Sequence, residues 1–189
     1  MSPIQGTRTG GRSARVQRSV HAAVQELLGQ RSRSELSVPL VAQHAGVTPS
    51  TVYRRWGGLQ ELLSDVAAER LRPDAPPEDT GALASDLNAW AVQYLEEMSS
   101  SPGREYIRDV IAGDTGTANT GQCCGYAYEQ VSVMLQRAAD RGEPAPDADQ
   151  VLDHLVAPMM YRILFDPAQI TPERVDALVH ELLDDQHPS

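Results

Sequence analysis

Residues 41–56 read VAQHAGVTPSTVYRRW. Val41 and Ala42, with Val38 upstream, give a short helix one apolar face, and Ala45-Gly46 ends it. Thr48-Pro49 then starts a second helix that reaches Trp56, the hydroxyl serving as cap and the proline standing where a missing N–H costs nothing. Two short helices around a tight turn containing glycine make a helix-turn-helix, whose second helix fits the major groove of DNA. The stretch carries two adjacent arginines, a tyrosine and three further hydroxyl side chains, with no carboxylate, in a chain whose formal net charge is −10. These are donors suited to phosphate oxygens and base edges, and a carboxylate among them would repel the backbone.

The charge outside this stretch follows the same division. Residues 1–72 hold ten arginines against five acids, a local charge of +5, so residues 73–189 carry −15. A polyanion-binding end attached to an acidic body is the expectation. All sixteen basic residues are arginine, a chain-wide habit that reads as codon bias more than as the chemistry of a site. The 189 residues can bury a real core, and no apolar run approaches the ~20 residues that span a bilayer. The N-terminus lacks the apolar stretch of a secretory signal, and the two cysteines are adjacent, so a cytoplasmic location with no membrane partner is expected.

Apolar periodicity is helical almost throughout. Stripes run through Val16, Val20, Val24 and Leu27; Leu59, Leu62, Leu63, Val66 and Leu71; Leu83, Leu87, Trp90, Tyr94 and Met98; and Tyr106, Val110 and Ile111. Three more follow, through Cys124, Tyr128, Val131, Leu135 and Ala138; Leu152, Leu155, Val156, Met159 and Ile163; and Val175, Leu178, Val179 and Leu182. The pattern predicts an all-α chain of about nine helices. Residues 1–12 read as a disordered basic tail and 13–72 as the helix-turn-helix domain, including a connecting helix over 59–72. Residues 73–80, within the acidic, proline-rich RPDAPPEDT, read as a linker, and 81–189 as a second helical domain. GDTGTANTGQ (113–122) and GEPAPD (142–147) read as loops, Ser101-Pro102 and Thr171-Pro172 as further helix starts, and Pro158 as a kink.

Residues 15–72 resemble the N-terminal domain of the TetR family of transcriptional regulators. The family pattern resembles A-G-V-S-x-G-T-L-Y-x-H-F followed by a serine-lysine pair and a leucine. Here Ala45-Gly46-Val47-Thr48-Pro49-Ser50-Thr51-Val52-Tyr53-Arg54-Arg55-Trp56 fills it. The resemblance implies phosphate contacts from Ser37, Thr48 and Tyr53 and base-edge contacts from Pro49, Ser50, Thr51 and Arg54, and it assigns Val47, Val52 and Trp56 to packing. The chain departs from the pattern at Gly58-Leu59, where the serine-lysine pair belongs; Arg55 or the basic tail is expected to supply the missing phosphate contact.

The resemblance extends to the C-terminal end, where a family subgroup pairs its last two helices with those of a symmetry mate. It implies a homodimer whose interface holds Leu155, Val156, Met159, Met160, Ile163, Leu178, Val179 and Leu182. The competing reading of these residues is an ordinary intramolecular core. The resemblance also implies a small-molecule pocket enclosed by the central helices, with candidates Trp90, Tyr94, Met98, Tyr106, Cys124, Tyr128 and Met134, and Tyr126 beside them. Each of these is also an ordinary core residue at helical spacing.

The sequence offers no catalytic set, no phosphate-binding glycine loop and no metal-like spacing among His21, His44, His154, His180, His187 and the cysteines. No cofactor or metal is expected. The resulting expectation is a one-component regulator, a repressor, that binds a palindromic operator as a homodimer and leaves it when a small-molecule effector enters the C-terminal domain. Two alternatives stand beside it: a constitutive DNA-binding regulator whose C-terminal domain only dimerises, and a thiol-dependent oxidoreductase using Cys123-Cys124.

Overall fold

The computed structural model describes residues 9–184 apart from 114, 115 and 117. Helix α1 runs Thr9–Leu28, α2 Val38–His44, α3 Pro49–Trp56 and α4 Leu59–Arg70. The second half holds α5 Leu83–Ser99, α6 Ser101–Gly113, α7 Ala118–Arg141, α8 Ala148–Val151, α9 Ala157–Phe165 and α10 Pro172–Asp184. A π turn over Leu152–Val156 joins α8 to α9 in one rod, so the described residues form nine helical rods and no strand, an all-α fold as expected. None of these helices is long and apolar enough to cross a membrane.

The first four helices close on their own core. Val20 and Val24 of α1, Val41 and Ala42 of α2, Val52 of α3 and Leu62 of α4 are all sealed from solvent. Gly46 makes the turn possible. With φ at +68° it lies in the left-handed region, and it lets Val47 N–H reach back to the Ala42 carbonyl (2.9 Å) while its own N–H bonds Gln43 (3.3 Å). Ser19 Oγ on α1 bonds the Ala45 carbonyl at 2.8 Å and so holds the turn against α1.

The acidic half has a separate core, built from α5, α7 and the α8–α10 segment. Its linker is an extended strap laid along α7. Gln130 donates to the Ala75 carbonyl (3.2 Å), and Arg137 donates to the carbonyls of Pro77 (2.9 Å) and Glu78 (3.1 Å).

Several expectations are corrected. Residues 9–12 are the first turn of α1, not tail; residues 1–8 and His187 lie outside the described residues. The loop expected over 113–122 is helical at Gly113 and again from Ala118, with 114, 115 and 117 outside the described residues. The cap of α6 is Ser100, whose Oγ takes the Gly103 N–H at 3.0 Å, one residue before the Ser101 expected from sequence. At Pro158, which lacks an N–H, the rod continues through the π turn, in which Ala157 N–H bonds the Leu152 carbonyl.

The interface expectation also changes. Leu155, Val156, Met159, Ile163, Leu178, Val179 and Leu182 are buried in the core of the single chain, because that side of α9 and α10 packs on α5. Met160 is half-buried and lines a cavity. The apolar side chains that α9 turns outward are Tyr161, 59% exposed, and Phe165, 73% exposed, with their rings 5.3 Å apart.

Candidate nucleic-acid interface and ligand cavity

Helix α3 is eight residues long and anchored by one sealed side chain, Val52, with Trp56 packed partly against the same core. That anchoring fixes the helix's rotation, so Pro49, Ser50, Tyr53 and Arg54 face solvent, at the i, i+1, i+4 and i+5 positions of one side. Tyr53 is 50% exposed, and neither its hydroxyl nor the Arg54 guanidinium bonds another described residue. Thr48 caps the helix, and its Oγ1 lies 3.0 Å from Ser50 Oγ and 2.9 Å from Thr51 Oγ1, so three hydroxyls cluster at the positive end of the helix. Thr51 is half-buried beneath the other two. Ser37 caps α2, accepting from Leu40 N–H at 3.4 Å, and stays exposed. Seven of the eight residues expected at DNA, those other than Arg55, thus have no side-chain hydrogen bond or ion pair to another helix among the described residues.

Arg55 differs. Its guanidinium donates to the Ser13 carbonyl (2.9 Å), Ser13 Oγ (2.7 Å) and Gln17 Oε1 (2.5 Å), and stacks over the Trp56 ring at 5.1 Å. It straps α1 to α3 while remaining exposed. Beneath Trp56 sits a polar centre that the sequence did not point out. Asp65 Oδ2 accepts from the Trp56 indole N–H at 2.7 Å and lies 2.8 Å from His21 Nε2. Burial works against the Asp65 charge, yet the bonds to His21 and Trp56 outweigh it and hold the carboxyl below the ordinary aspartate range. This centre fixes the end of α3 to α1 and α4.

A cavity of about 590 Å³, partly open to solvent, lies in the acidic half against the end of α4, within the ~300–1,000 Å³ typical of small-molecule sites. Of the residues expected at a ligand, Trp90, Tyr94, Met98 and Tyr106 line it. Cys124, Tyr128 and Met134 do not. Cys124 and Tyr128 are turned out to solvent on α7, and Met134 is sealed in the core with Ala127, Val131 and Ala138. The face of α7 that meets the cavity is Cys123, Tyr126, Ala127 and Gln130 instead, one helical position away. That i, i+3, i+4, i+7 set was readable in the sequence once the rotation of α7 was known. The strap contributes Pro73 to Pro77, and the end of α4 contributes Arg70 and Leu71. Burial, with Cys123 and Cys124 adding to it, pushes the Tyr94 phenol well above the ordinary tyrosine range.

Two devices join cavity and DNA-binding unit. Helix α4 packs along α6 more extensively than any other pair of helices. The crossing is close enough that a Cβ on Gly113 would lie 2.1 Å from the Gln60 carbonyl oxygen. Ser64 Oγ donates to the Val110 carbonyl at 3.1 Å and accepts from Asn119 at 2.8 Å. The second device is an ion pair. Arg33, in the short turn before α2, grips Asp109 of α6 through Nε (2.9 Å) and Nη2 (2.8 Å) and also bonds Glu105. Burial opposes the Arg33 charge, and the two carboxylates outweigh it and raise its pKa. The sequence signal for this latch was a carboxylate, Asp109, set between the apolar Ile107 and Val110.

Among the described residues, no three His, Cys, Asp or Glu side chains gather as metal ligands would.

Two family models match the chain, one in each half. Residues 21–66 match the family model described as bacterial regulatory proteins, tetR family, and residues 77–182 match that described as the tetracyclin repressor-like C-terminal domain. An uncharacterized HTH-type transcriptional regulator of Mycobacterium tuberculosis is 27% identical over 169 residues, 86% of this chain and 83% of the relative. The HTH-type transcriptional regulator AqdR of Rhodococcus erythropolis is 25% identical over 150 residues, 78% of this chain and 72% of AqdR. The crystal structure of the TetR family transcription regulator SCO0332 superposes with a TM-score of 0.64 at 25% identity, covering 92% of this chain and 99% of that one.

Proposed function

The chain belongs to the TetR family of bacterial transcriptional regulators, a DNA-binding regulator and not an enzyme, and from that premise we propose that it is a repressor whose operator is released when a small molecule enters the acidic half. It acts in the cytoplasm as a homodimer on a palindromic site. Ser50, Tyr53 and Arg54 face the groove, with Pro49 and Thr51 beside them, and Thr48 and Ser37 meet the flanking phosphates.

The observation that carries the reading is that one helix serves both sites. Tyr106, Ile107, Val110 and Ile111 of α6 line the cavity, and the same α6 is pinned to α4 at Gly113 and Ser64 and to the DNA-binding unit through Asp109 and Arg33. A ligand that favours another position of α6 therefore carries α4 with it and moves α3 away from the spacing its operator requires. The coupling needed is modest: roughly 1–3 kcal/mol of differential binding corresponds to a five- to 150-fold loss of affinity.

For dimerisation the support is the outward stripe of Tyr161 and Phe165 on α9, apolar surface that a second copy of the same helix would cover. A two-fold dimer then sets the two copies of α3 about 34–36 Å apart, one turn of B-DNA.

The testing experiment is a mobility shift on the DNA flanking the protein's own gene, with random DNA as competitor. A saturable specific complex of one dimer per site, lost on adding a cavity ligand, is the expected result. Specific binding that no cavity ligand relieves would leave a constitutive regulator, and equal affinity for random DNA would refute the role given to α3. Sedimentation of Phe165→Asp, expected to be monomeric where the parent protein is dimeric, tests the interface separately.

A further inference from the structure

Resting on the ligand-responsive reading above, we propose that the cavity takes an uncharged, planar aromatic molecule carrying a hydrogen-bond acceptor that receives the Tyr94 hydroxyl.

Flatness follows from the walls. Trp90 and Tyr94 lie side by side on α5 with ring centroids 5.3 Å apart and planes 32° from parallel, and two further tyrosine rings reach the cavity from α6 and α7. Aromatic rings present broad faces, and a planar ring system makes the most contact between them.

The absence of charge follows from where the ions are. Asp86 and Asp109 are the buried acids of the described residues. Neither lines the cavity: Asp86 is held by Thr80 and Arg141, and Asp109 by Arg33. The charged side chains that do line it are Arg70, Arg72, Asp74 and Glu97, all exposed and balanced two against two. An ion drawn against the rings would shed hydration there and find no buried counter-charge.

The acceptor follows from Tyr94. Most polar groups around it are already engaged: Gln93 donates to Glu97 at 2.8 Å, Gln130 to the Ala75 carbonyl, and Gln122 to the Tyr126 hydroxyl. The Tyr94 hydroxyl bonds no described residue. No sealed polar side-chain atom among the described residues lacks a hydrogen bond, so this hydroxyl opens onto the cavity. It is a donor with a poor supply of partners, and its desolvation, already seen in its raised pKa, keeps it protonated and able to donate.

Three naphthalenes of nearly one shape test the proposal by calorimetric titration: 2-acetylnaphthalene, 2-ethylnaphthalene, which lacks the acceptor, and 2-naphthoate, which adds a charge. The ketone is expected to bind about five- to tenfold more tightly than the ethyl compound, the worth of one hydrogen bond, and the carboxylate more weakly than both. In Tyr94→Phe the ketone's advantage should vanish while the ethyl compound binds as before, which also shows that the variant is folded. Equal binding of ketone and ethyl compound, or an advantage that survives Tyr94→Phe and disappears in Tyr106→Phe, would overturn the Tyr94 assignment. Tighter binding of the naphthoate would overturn the uncharged class, and no binding of any of the three would overturn the aromatic class. Operator release by a compound outside these classes would leave the ligand-responsive reading standing while this inference falls.

Discussion

The two halves of the molecule keep their functional groups in opposite ways. The helix-turn-helix displays them: Tyr53 and Arg54 stand in solvent because Val52 and Trp56, on the other side of the same two turns, are anchored in the core. The acidic half hides them, since its cavity is the space left where α5, α6, α7 and the strap fail to close. A displayed site is specified by neighbours in sequence, and an enclosed one by the rotation of helices far apart in sequence. Substitutions chosen in pairs can break or sharpen that contrast.

The largest effect is expected from two methionines of the acidic half. Met134 is fully buried in the core, so Met134→Ala should cost roughly 2–5 kcal/mol of unfolding free energy. Met98 already borders empty space, so its truncation enlarges an existing void and should cost distinctly less. Urea unfolding of the two variants, with titration of 2-acetylnaphthalene, checks this. Equal losses of stability, or a ligand affinity altered more by Met134→Ala, would mean that the cavity wall is placed wrongly.

Next comes the crossing that joins the halves. Gly113→Ala puts a methyl group into the Gln60 carbonyl, and overpacking of this kind costs roughly 1–3 kcal/mol. Because α4 must shift to relieve it, operator affinity should fall as well, although residue 113 lies far from α3 in the chain. Unchanged stability and unchanged operator binding would remove the α4–α6 route from the mechanism.

The adjacent arginines test the displayed site. Arg54→Ala should weaken operator binding by roughly 1–3 kcal/mol while random DNA is affected less, the signature of a base contact, and should leave stability alone. Arg55→Ala should do the reverse: with its bonds to Ser13 and Gln17 gone, α1 loosens and the melting temperature falls, with a smaller, sequence-independent loss on DNA. Mobility shifts against both DNAs, beside thermal melts, separate the two. Identical behaviour would mean that the α1 strap does not distinguish Arg55.

These pairs also mark what was legible in the sequence. The helix-turn-helix could be read because each of its decisions is local: Gly46 stops α2, Thr48-Pro49 starts α3, and a period of 3.6 assigns Val52 inward and Tyr53 outward. The cavity was legible on α5, where Trp90, Tyr94 and Met98 continue the stripe that starts at Leu83. It was misread on α7, where two stripes overlap and only packing against α5 and the strap decides that Cys123 and Tyr126 face the cavity while Cys124 and Tyr128 do not. The outer helices failed for the same reason. Leu155, Met159, Leu178 and Leu182 form a convincing apolar face, and a sequence does not say whether such a face meets its own chain or another copy. Asp109, set between apolar neighbours, was marked as a buried acid, but nothing in the sequence named Arg33, 76 residues away, as its partner.

The smallest effect is confined to acid and compares one aspartate from each half. Asp65 gathers His21 and Trp56 beneath α3, while Asp86, fully buried, takes the Thr80 N–H (2.6 Å) and hydroxyl (2.7 Å) together with Arg141 (3.1 Å) at the start of α5. For both, burial opposes ionisation and the hydrogen bonds outweigh it, so each folded pKa lies below the ordinary value. A group of this kind contributes its full stabilisation above the unfolded pKa of about 3.9 and loses it as the pH falls through the lower, folded value. Neither aspartate should therefore shape stability between about pH 5 and 7, and both should steepen the loss below about pH 4. Asp86→Asn should lower the melting temperature at neutral pH and flatten its fall in acid, followed by circular dichroism. Asp65→Asn should act through the DNA-binding half, seen first in Trp56 fluorescence, because the indole exchanges a charged carboxylate for a neutral amide that also has to satisfy His21, while the core of the acidic half is untouched. An acid limb as steep in Asp86→Asn as in the parent protein would assign the acid sensitivity elsewhere, and a Trp56 signal unmoved by Asp65→Asn would leave the end of α3 held by packing alone.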